Sequence, residues 1–173
     1  MKPTLIILTA TILLTSSSAF SQSRTRSTRS KTPAPSATQR VSEVRTGGAT
    51  KVAEQIKFLS RFMYLLGGVT SGIAQVDEAV RRNEASPAVI QQNQQSKATL
   101  KSSIAGFRET LDKLEIEFRT TPELQPYYIK LAGVAAGAAT AEQQAAANQF
   151  DASGRTLLNV INRLTDVLVV MRQ

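Results

Sequence analysis

From about residue 48 onward, the apolar residues recur at steps of three and four, which is the period of an amphipathic α-helix. The first such stretch extends over residues 48–83, and its stripe consists of Val52, Ile56, Leu59, Met63, Leu66, Ile73, Val76 and Val80. The stripe is widened by Phe58, Phe62, Leu65 and Val69. A stripe of this width predicts a helix that contacts two neighbours rather than one.

Three further helical stretches follow, over residues 87–119, 122–149 and 153–172. The second has the most regular heptad pattern, formed by Leu100, Ile104, Phe107, Leu111, Leu114 and Phe118. The third is rich in alanine, the residue with the highest helix propensity. The fourth repeats the four-three spacing with Leu157, Ile161, Leu164, Leu168 and Met171.

Short connections separate these stretches. Ser86 is a predicted N-cap before Pro87, and Pro122 is predicted to open the third helix. Asp151 or Ser153 is predicted to cap the fourth. Since short loops place consecutive helices antiparallel, the pattern predicts an all-α, up-down-up-down antiparallel four-helix bundle whose first two helices are the longest.

Residues 1–21 are predicted to be a secretory signal peptide. Lys2 precedes a short apolar run from Leu5 to Leu14, and Ala19 and Ser21 fit a cleavage site before Gln22. An uncleaved anchor is the alternative, although the run is about half of the roughly 20 residues that a spanning helix needs. The chain has no cysteine, which excludes a lipoprotein. We therefore expect a secreted or periplasmic protein.

Residues 22–47 form a Ser/Thr/Pro/Arg-rich arm, which its composition predicts to be disordered. Residues 22–51 hold seven basic residues against one acidic, a net charge of +6, whereas residues 52–173 hold thirteen against twelve, a net of +1. The high isoelectric point therefore describes the arm and not the bundle. The six basic residues of the arm are Arg24, Arg26, Arg29, Lys31, Arg40 and Arg45.

An exported basic arm meets anionic lipid headgroups and acidic polymers, and it meets little nucleic acid. We therefore expect an electrostatic tether to an anionic envelope surface, with another envelope protein as an alternative partner and no nucleic acid. A plain solvated linker between signal peptide and bundle remains a second interpretation. A homo-oligomer is a further alternative.

The chain contains no histidine and no cysteine. Ser–His–Asp and Cys–His catalysis, zinc sites with nitrogen or sulfur ligands, and haem ligated by histidine or cysteine are therefore excluded, and we expect no cofactor and no metal. The carboxylate-rich stretches contain Glu109, Asp112, Glu115 and Glu117, and Asp77, Glu78 and Glu84. Basic residues alternate with them, which favours exposed faces with compensating ion pairs. A carboxylate-based hydrolase is the weaker alternative.

Two glycine pairs share the small-xxx-small spacing, Gly68 with Gly72 and Gly133 with Gly137. A glycine inside a helix destabilises it by about 1 kcal/mol relative to alanine, so we expect four glycines at this spacing to have a compensating structural role. We predict that all four lie at one tight interface between the first and third helices. The alternatives are a hinge or kink, and a self-associating or membrane-active face.

Together these patterns predict an exported, non-catalytic helical binding or scaffold protein with a cationic N-terminal tether. The alternative binding function is a lipid or peptide carrier, with its ligand in a groove beside the Ala/Gly-rich third helix. Fold class alone does not separate the two.

Overall fold

The computed structural model describes residues 36–173, and this part of the chain is helical with no strand. The all-α prediction is therefore confirmed. Residues 1–35, with the predicted signal peptide and most of the basic arm, lie outside the described residues. The described chain forms five helices: α1 (Ala37–Arg81), α2 (Pro87–Thr120), α3 (Gln125–Leu131), α4 (Val134–Ala146) and α5 (Phe150–Met171).

Helix α1 begins eleven residues before the predicted start at residue 48. Ser36 and Gln39 form a capping box, in which the Gln39 amide donates to Ser36 Oγ at 3.3 Å and the Ser36 amide donates to Gln39 Oε1 at 2.8 Å. Val44 packs against the core, and Gly48 is buried against Leu124. The prediction that the disordered arm reaches residue 47 is therefore wrong for residues 37–47.

The turn between α1 and α2 follows the predicted chemistry. Asn83 adopts a left-handed conformation with φ of 57°, and the Glu84 amide bonds the Ala79 carbonyl at 2.9 Å, as in a Schellman motif. Ser86 then accepts from the Val89 amide, with Pro87 in the first turn of α2. Both predicted roles are confirmed.

The predicted third helix is two helices, α3 and α4. Gly133 interrupts it with φ of 88°, a conformation that favours glycine. The Glu115 carboxylate accepts hydrogen bonds from the Gly133 amide at 3.2 Å and the Ala135 amide at 3.1 Å, at the first turn of α4. Arg163 donates to the Ala132 carbonyl at 3.2 Å. Partners on α2 and α5 therefore hold the break, and no local signal in the alanine-rich stretch predicts them.

Helix α5 begins at Phe150, directly after Gln149. The prediction that Asp151 or Ser153 caps this helix is wrong, because both lie within its first two turns. Ser153 is fully buried and donates to the Ala141 carbonyl of α4 at 2.8 Å. This hydroxyl joins α4 to α5 rather than starting a helix.

The five helices share one core. Helix α1 packs against α2 and α5, α4 packs against α2 and α5, and α3 contacts α2 and α5. The largest fully buried side chains are Phe118, Leu59, Ile104, Leu111, Leu124, Leu131, Leu157 and Leu164. Within residues 36–173, no helix has both the length and the apolarity of a membrane-spanning segment.

Candidate functional site: a cationic groove at the start of α1

A groove of about 340 Å³ lies where the beginning of α1 meets the end of α5. We call it the cationic groove, and its polar lining comes from Arg45, Thr46 and Thr50 of α1 and from Arg172 just after α5. Its apolar lining includes Leu168 and Met171. Guanidinium groups above apolar side chains form a surface that suits an anionic group.

The two arginines of the cationic groove keep their charge available. Within residues 36–173, neither Arg45 nor Arg172 takes part in an ion pair. The neighbouring Lys51 is different, because its ammonium group pairs with the Glu117 carboxylate of α2. The groove therefore retains two positive charges, whereas the next turn of α1 is neutralised.

Two of the six predicted tether residues belong to the described chain. Arg40 and Arg45 are exposed on the first turns of α1, so the end of the predicted arm is a charged helix surface. The other four, Arg24, Arg26, Arg29 and Lys31, lie outside the described residues. Arg172 was not predicted. Its neighbourhood could have been found from the proposed topology, which places the end of the last helix beside the beginning of the first.

The four predicted helix-packing glycines do not meet at one interface. A Cβ atom at Gly68 or Gly72 would find no neighbour within 4 Å, because this surface of α1 faces away from the core. Gly137 lies in a close contact, but its partner is Val160 of α5, 2.9 Å from the position of an added Cβ. Gly133 forms the break before α4. The interface between the first and third helices was therefore a wrong prediction.

The carboxylate-rich stretches consist of structural contacts and exposed charges. Asp77 accepts from Asn93 Nδ2 at 2.7 Å and from Lys97 Nζ at 2.7 and 2.8 Å, in the contact between α1 and α2. Glu115 binds the first turn of α4, as described above. Glu109 and Asp112 are exposed on α2. No group of three or more potential metal-ligating side chains occurs among residues 36–173.

The small residues of α4 are used to bring helices together. Ala138, Ala141 and Ala145 are buried, and Gly137 touches Val160 closely. The carrier alternative places its ligand groove beside this helix. Grooves of about 340 and 320 Å³ are lined by α1 with α5 and by α1 with α2.

Comparison with known proteins adds no relative to this arrangement. The chain matches no protein-family model, no curated protein and no solved structure. The charges and surfaces of the chain itself are therefore the observations that bear on its function.

Proposed function

We propose that this protein is an exported, non-catalytic helical scaffold of the cell envelope or extracellular space, held on an anionic surface by its cationic N-terminal end. The observation that carries the proposal is the cationic groove, whose Arg45 and Arg172 have no ion-pair partner within residues 36–173. In the sequence, residues 22–35 precede α1 and hold four basic residues and no acidic one. Cationic side chains near an anionic membrane contribute about 1 kcal/mol each.

We further infer an up-down-up-down order for α1, α2, α4 and α5. Contacts between helices support it. Phe62 of α1 packs edge-on against Phe107 of α2, with ring centroids 5.0 Å apart. Lys51, which precedes Phe62 in α1, pairs with Glu117, which follows Phe107 in α2, as expected for antiparallel helices. Gly48 lies near Met171, and Gly154 lies near Leu66. In this order the chain enters and leaves the bundle at the cationic groove, which would direct that end toward the anionic surface.

Vesicle binding tests the proposal. Protein recovered after export of the full chain is sedimented with vesicles of phosphatidylglycerol and phosphatidylcholine, and with vesicles of phosphatidylcholine alone. We expect binding to the anionic vesicles only, weakening as the Debye length falls from about 30 Å at 0.01 M salt to about 3 Å at 1 M. Purified acidic cell-wall polymer in place of vesicles distinguishes a polymer surface from a lipid surface.

Two pairs of substitutions separate the groove from charge in general. Arg45→Gln with Arg172→Gln should weaken anionic binding roughly 10- to 30-fold at low salt, on the basis of about 1 kcal/mol per charge. Arg81→Gln with Arg82→Gln removes the same charge from exposed residues near the end of α1 and should have a smaller effect. An equal loss of vesicle affinity for the two pairs of substitutions would reject the oriented tether. Binding that does not change with salt concentration would also reject it.

A further inference from the structure

The outer surface of α1 carries a row of apolar side chains that no helix of the described chain covers. The row consists of Phe58, Leu65, Val69, Gly72 and Val76, spaced to lie on one side of the helix. Phe58 is 53% exposed and Leu65 is 62% exposed. On the other side of α1, Leu66 and Met63 contact Gly154 of α5. This helix is therefore apolar on two surfaces, and only one of them packs against other helices within residues 36–173.

The adjoining surface of α2 is lined by small residues at the same helical spacing: Ser96, Thr99, Ser103, Gly106 and Thr110. Each of the four hydroxyl groups donates to a carbonyl of its own helix, at 2.7 to 3.0 Å. Because these donors are already satisfied, burying this surface would leave no hydroxyl hydrogen without an acceptor.

The two rows belong to one surface, which we call the α1/α2 face. At one end they form the walls of a groove of about 320 Å³, lined by Val69, Gly72 and Val76 of α1 and by Val89 and Ser96 of α2. The pairing of Phe62 with Phe107 and of Lys51 with Glu117 places Phe58 at the level of Thr110, and Leu65 at the level of Ser103. Large side chains on α1 thus lie beside small ones on α2 over residues 58–69 of α1.

We propose that the α1/α2 face binds the same face of a second copy of this chain, about a two-fold axis parallel to the helices. That operation places α1 of each copy over α2 of the other, so that Phe58 and Leu65 pack over Thr110 and Ser103 of the second copy. A two-fold interface must be self-complementary in this reciprocal way. A two-fold axis perpendicular to the helices would instead place the bulky row against itself.

The charges around the face agree with this arrangement. None of the ten residues of the two rows is charged, although exposed Arg61 borders the α1 row beside Leu65. Beyond one end of the face, Glu54 and Lys113 are exposed. Within residues 36–173, neither of these two takes part in an ion pair. In the dimer, Glu54 of each copy comes near Lys113 of the other, and the symmetry forms this contact twice.

The size of the face is sufficient for a specific dimer. Residues 58–76 span about 27 Å of helix, and two helices side by side are about 20 Å wide. The footprint is therefore roughly 550 Å² on each copy, or about 1,100 Å² in total, which exceeds the approximately 1,000 Å² that a specific interface needs. The proposed dimer does not depend on the proposed tether, so either proposal can be rejected while the other stands.

Sedimentation equilibrium of protein recovered after export of the full chain tests the dimer. We expect twice the mass of one chain at micromolar concentration. Leu65→Glu should reduce this to the mass of one chain with an unchanged helical circular dichroism spectrum, because the side chain is exposed in the monomer. The matched control is Ile129→Glu, which alters another exposed apolar side chain, on α3. A monomeric parent protein, or a dimer that survives Leu65→Glu, overturns the proposal.

Disulfide cross-linking tests the orientation, and the absence of natural cysteine makes every cross-link assignable. Leu65→Cys and Ser103→Cys proteins are oxidised separately and after mixing. A cross-linked product that forms mainly in the mixture supports the axis parallel to the helices. A product that forms with Leu65→Cys alone, and is not increased by mixing, rejects that axis. If the parent protein is monomeric and yet binds vesicles through this face, a lipid surface is its occupant and the dimer is refuted.

Discussion

At the scale of single residues, the surroundings of each glycine determine what it contributes. Gly133 supplies a left-handed conformation, Gly137 permits a close contact with Val160, and Gly68 lies on an open surface. The same residue type therefore has three different energetic consequences. In the first two positions the conformation or the space demands glycine, whereas at Gly68 nothing in the described chain does.

Gly137→Ala should destabilise the protein. The new Cβ would lie 2.9 Å from Val160 Cγ2, and this β-branched side chain is buried and has little rotamer freedom with which to move away. Overpacking of this kind costs about 1–3 kcal/mol, which urea denaturation would measure. Gly68→Ala is the control and should raise stability by roughly 0.5–1 kcal/mol, since the helix gains propensity without a clash. The opposite order would contradict the packing described here.

Asp77 is predicted to contribute more to the free energy of unfolding than its neighbour Glu78. Asp77→Ala removes the acceptor of both Asn93 and Lys97, and Asn93 is a buried residue. Losing a partner of a buried polar group costs about 1–3 kcal/mol. Within residues 36–173, Glu78 pairs only with exposed Arg81 and Arg82, so Glu78→Ala should cost at most about 1 kcal/mol. Thermal unfolding of both variants compares them, and similar losses would argue against a structural role for the Asp77 cluster.

At the scale of helices, the start of α1 and the start of α4 each depend on capping groups. Ser36 and Gln39 are close in sequence and begin α1 by a local motif. Glu115 belongs to α2, eighteen residues before Gly133, and its carboxylate caps the first turn of α4. The first kind of cap is visible in the sequence, whereas the second requires α2 and α4 to be side by side.

Glu115→Ala should loosen the start of α4. The carboxylate accepts from the Gly133 and Ala135 amides, and hydrogen bonds to a charged group are worth about 1.5–3 kcal/mol. We expect a loss of that order in the free energy of unfolding, measured with urea. Glu109→Ala removes an exposed carboxylate from the same helix and should change stability by less than about 0.5 kcal/mol. Equivalent effects of the two would show that Glu115 is not a cap.

Ser36→Ala should act locally. The N-terminal turns of α1 are mostly exposed, so losing a cap worth about 1 kcal/mol should fray them without affecting the core. Amide hydrogen exchange should become faster in residues 37–44 and remain unchanged around Leu59 and Leu66. The same acceleration in the core residues would mean that this segment unfolds together with the bundle.

At the scale of the whole molecule, charge and apolar surface are unevenly distributed. Positive charge is concentrated at the N-terminal end, and residues 52–173 carry a net charge of only +1. Uncovered apolar surface extends along α1, where Phe58 and Leu65 are more than half exposed. We therefore expect attraction to anionic surfaces and self-association to respond differently to salt, because only the first is mainly electrostatic.

We predict that the protein is exported and that its mature chain begins at Gln22 or within two residues of it. Ala19 and Ser21 provide small side chains after a short apolar run, which is the pattern of a signal-peptide cleavage site. Intact mass spectrometry of the exported chain measures its first residue directly. A mass that includes Met1 would contradict cleavage and favour the anchor. Expression of residues 22–173 without the leader, which should remain inside the cell, is the control.

The helical class and the connection at Ser86–Pro87 followed from the sequence alone, because periodicity, caps and proline geometry act over a few residues. The same was true of the charge difference between the arm and the bundle. The start of α1 at Ala37 was also available locally, through the pattern of Ser36 and Gln39 that the composition of the arm had obscured.

Only the tertiary structure decided the break at Gly133 and the pairing of Gly137 with Val160. Glycine spacing shows that a close approach is allowed, but it does not specify the neighbouring helix. The left-handed turn at Gly133 is accompanied by contacts from Glu115 and Arg163, which come from helices distant in sequence. Sequence periodicity reports which surface of a helix is apolar, whereas the identity of its partner depends on long-range packing that a local pattern does not encode.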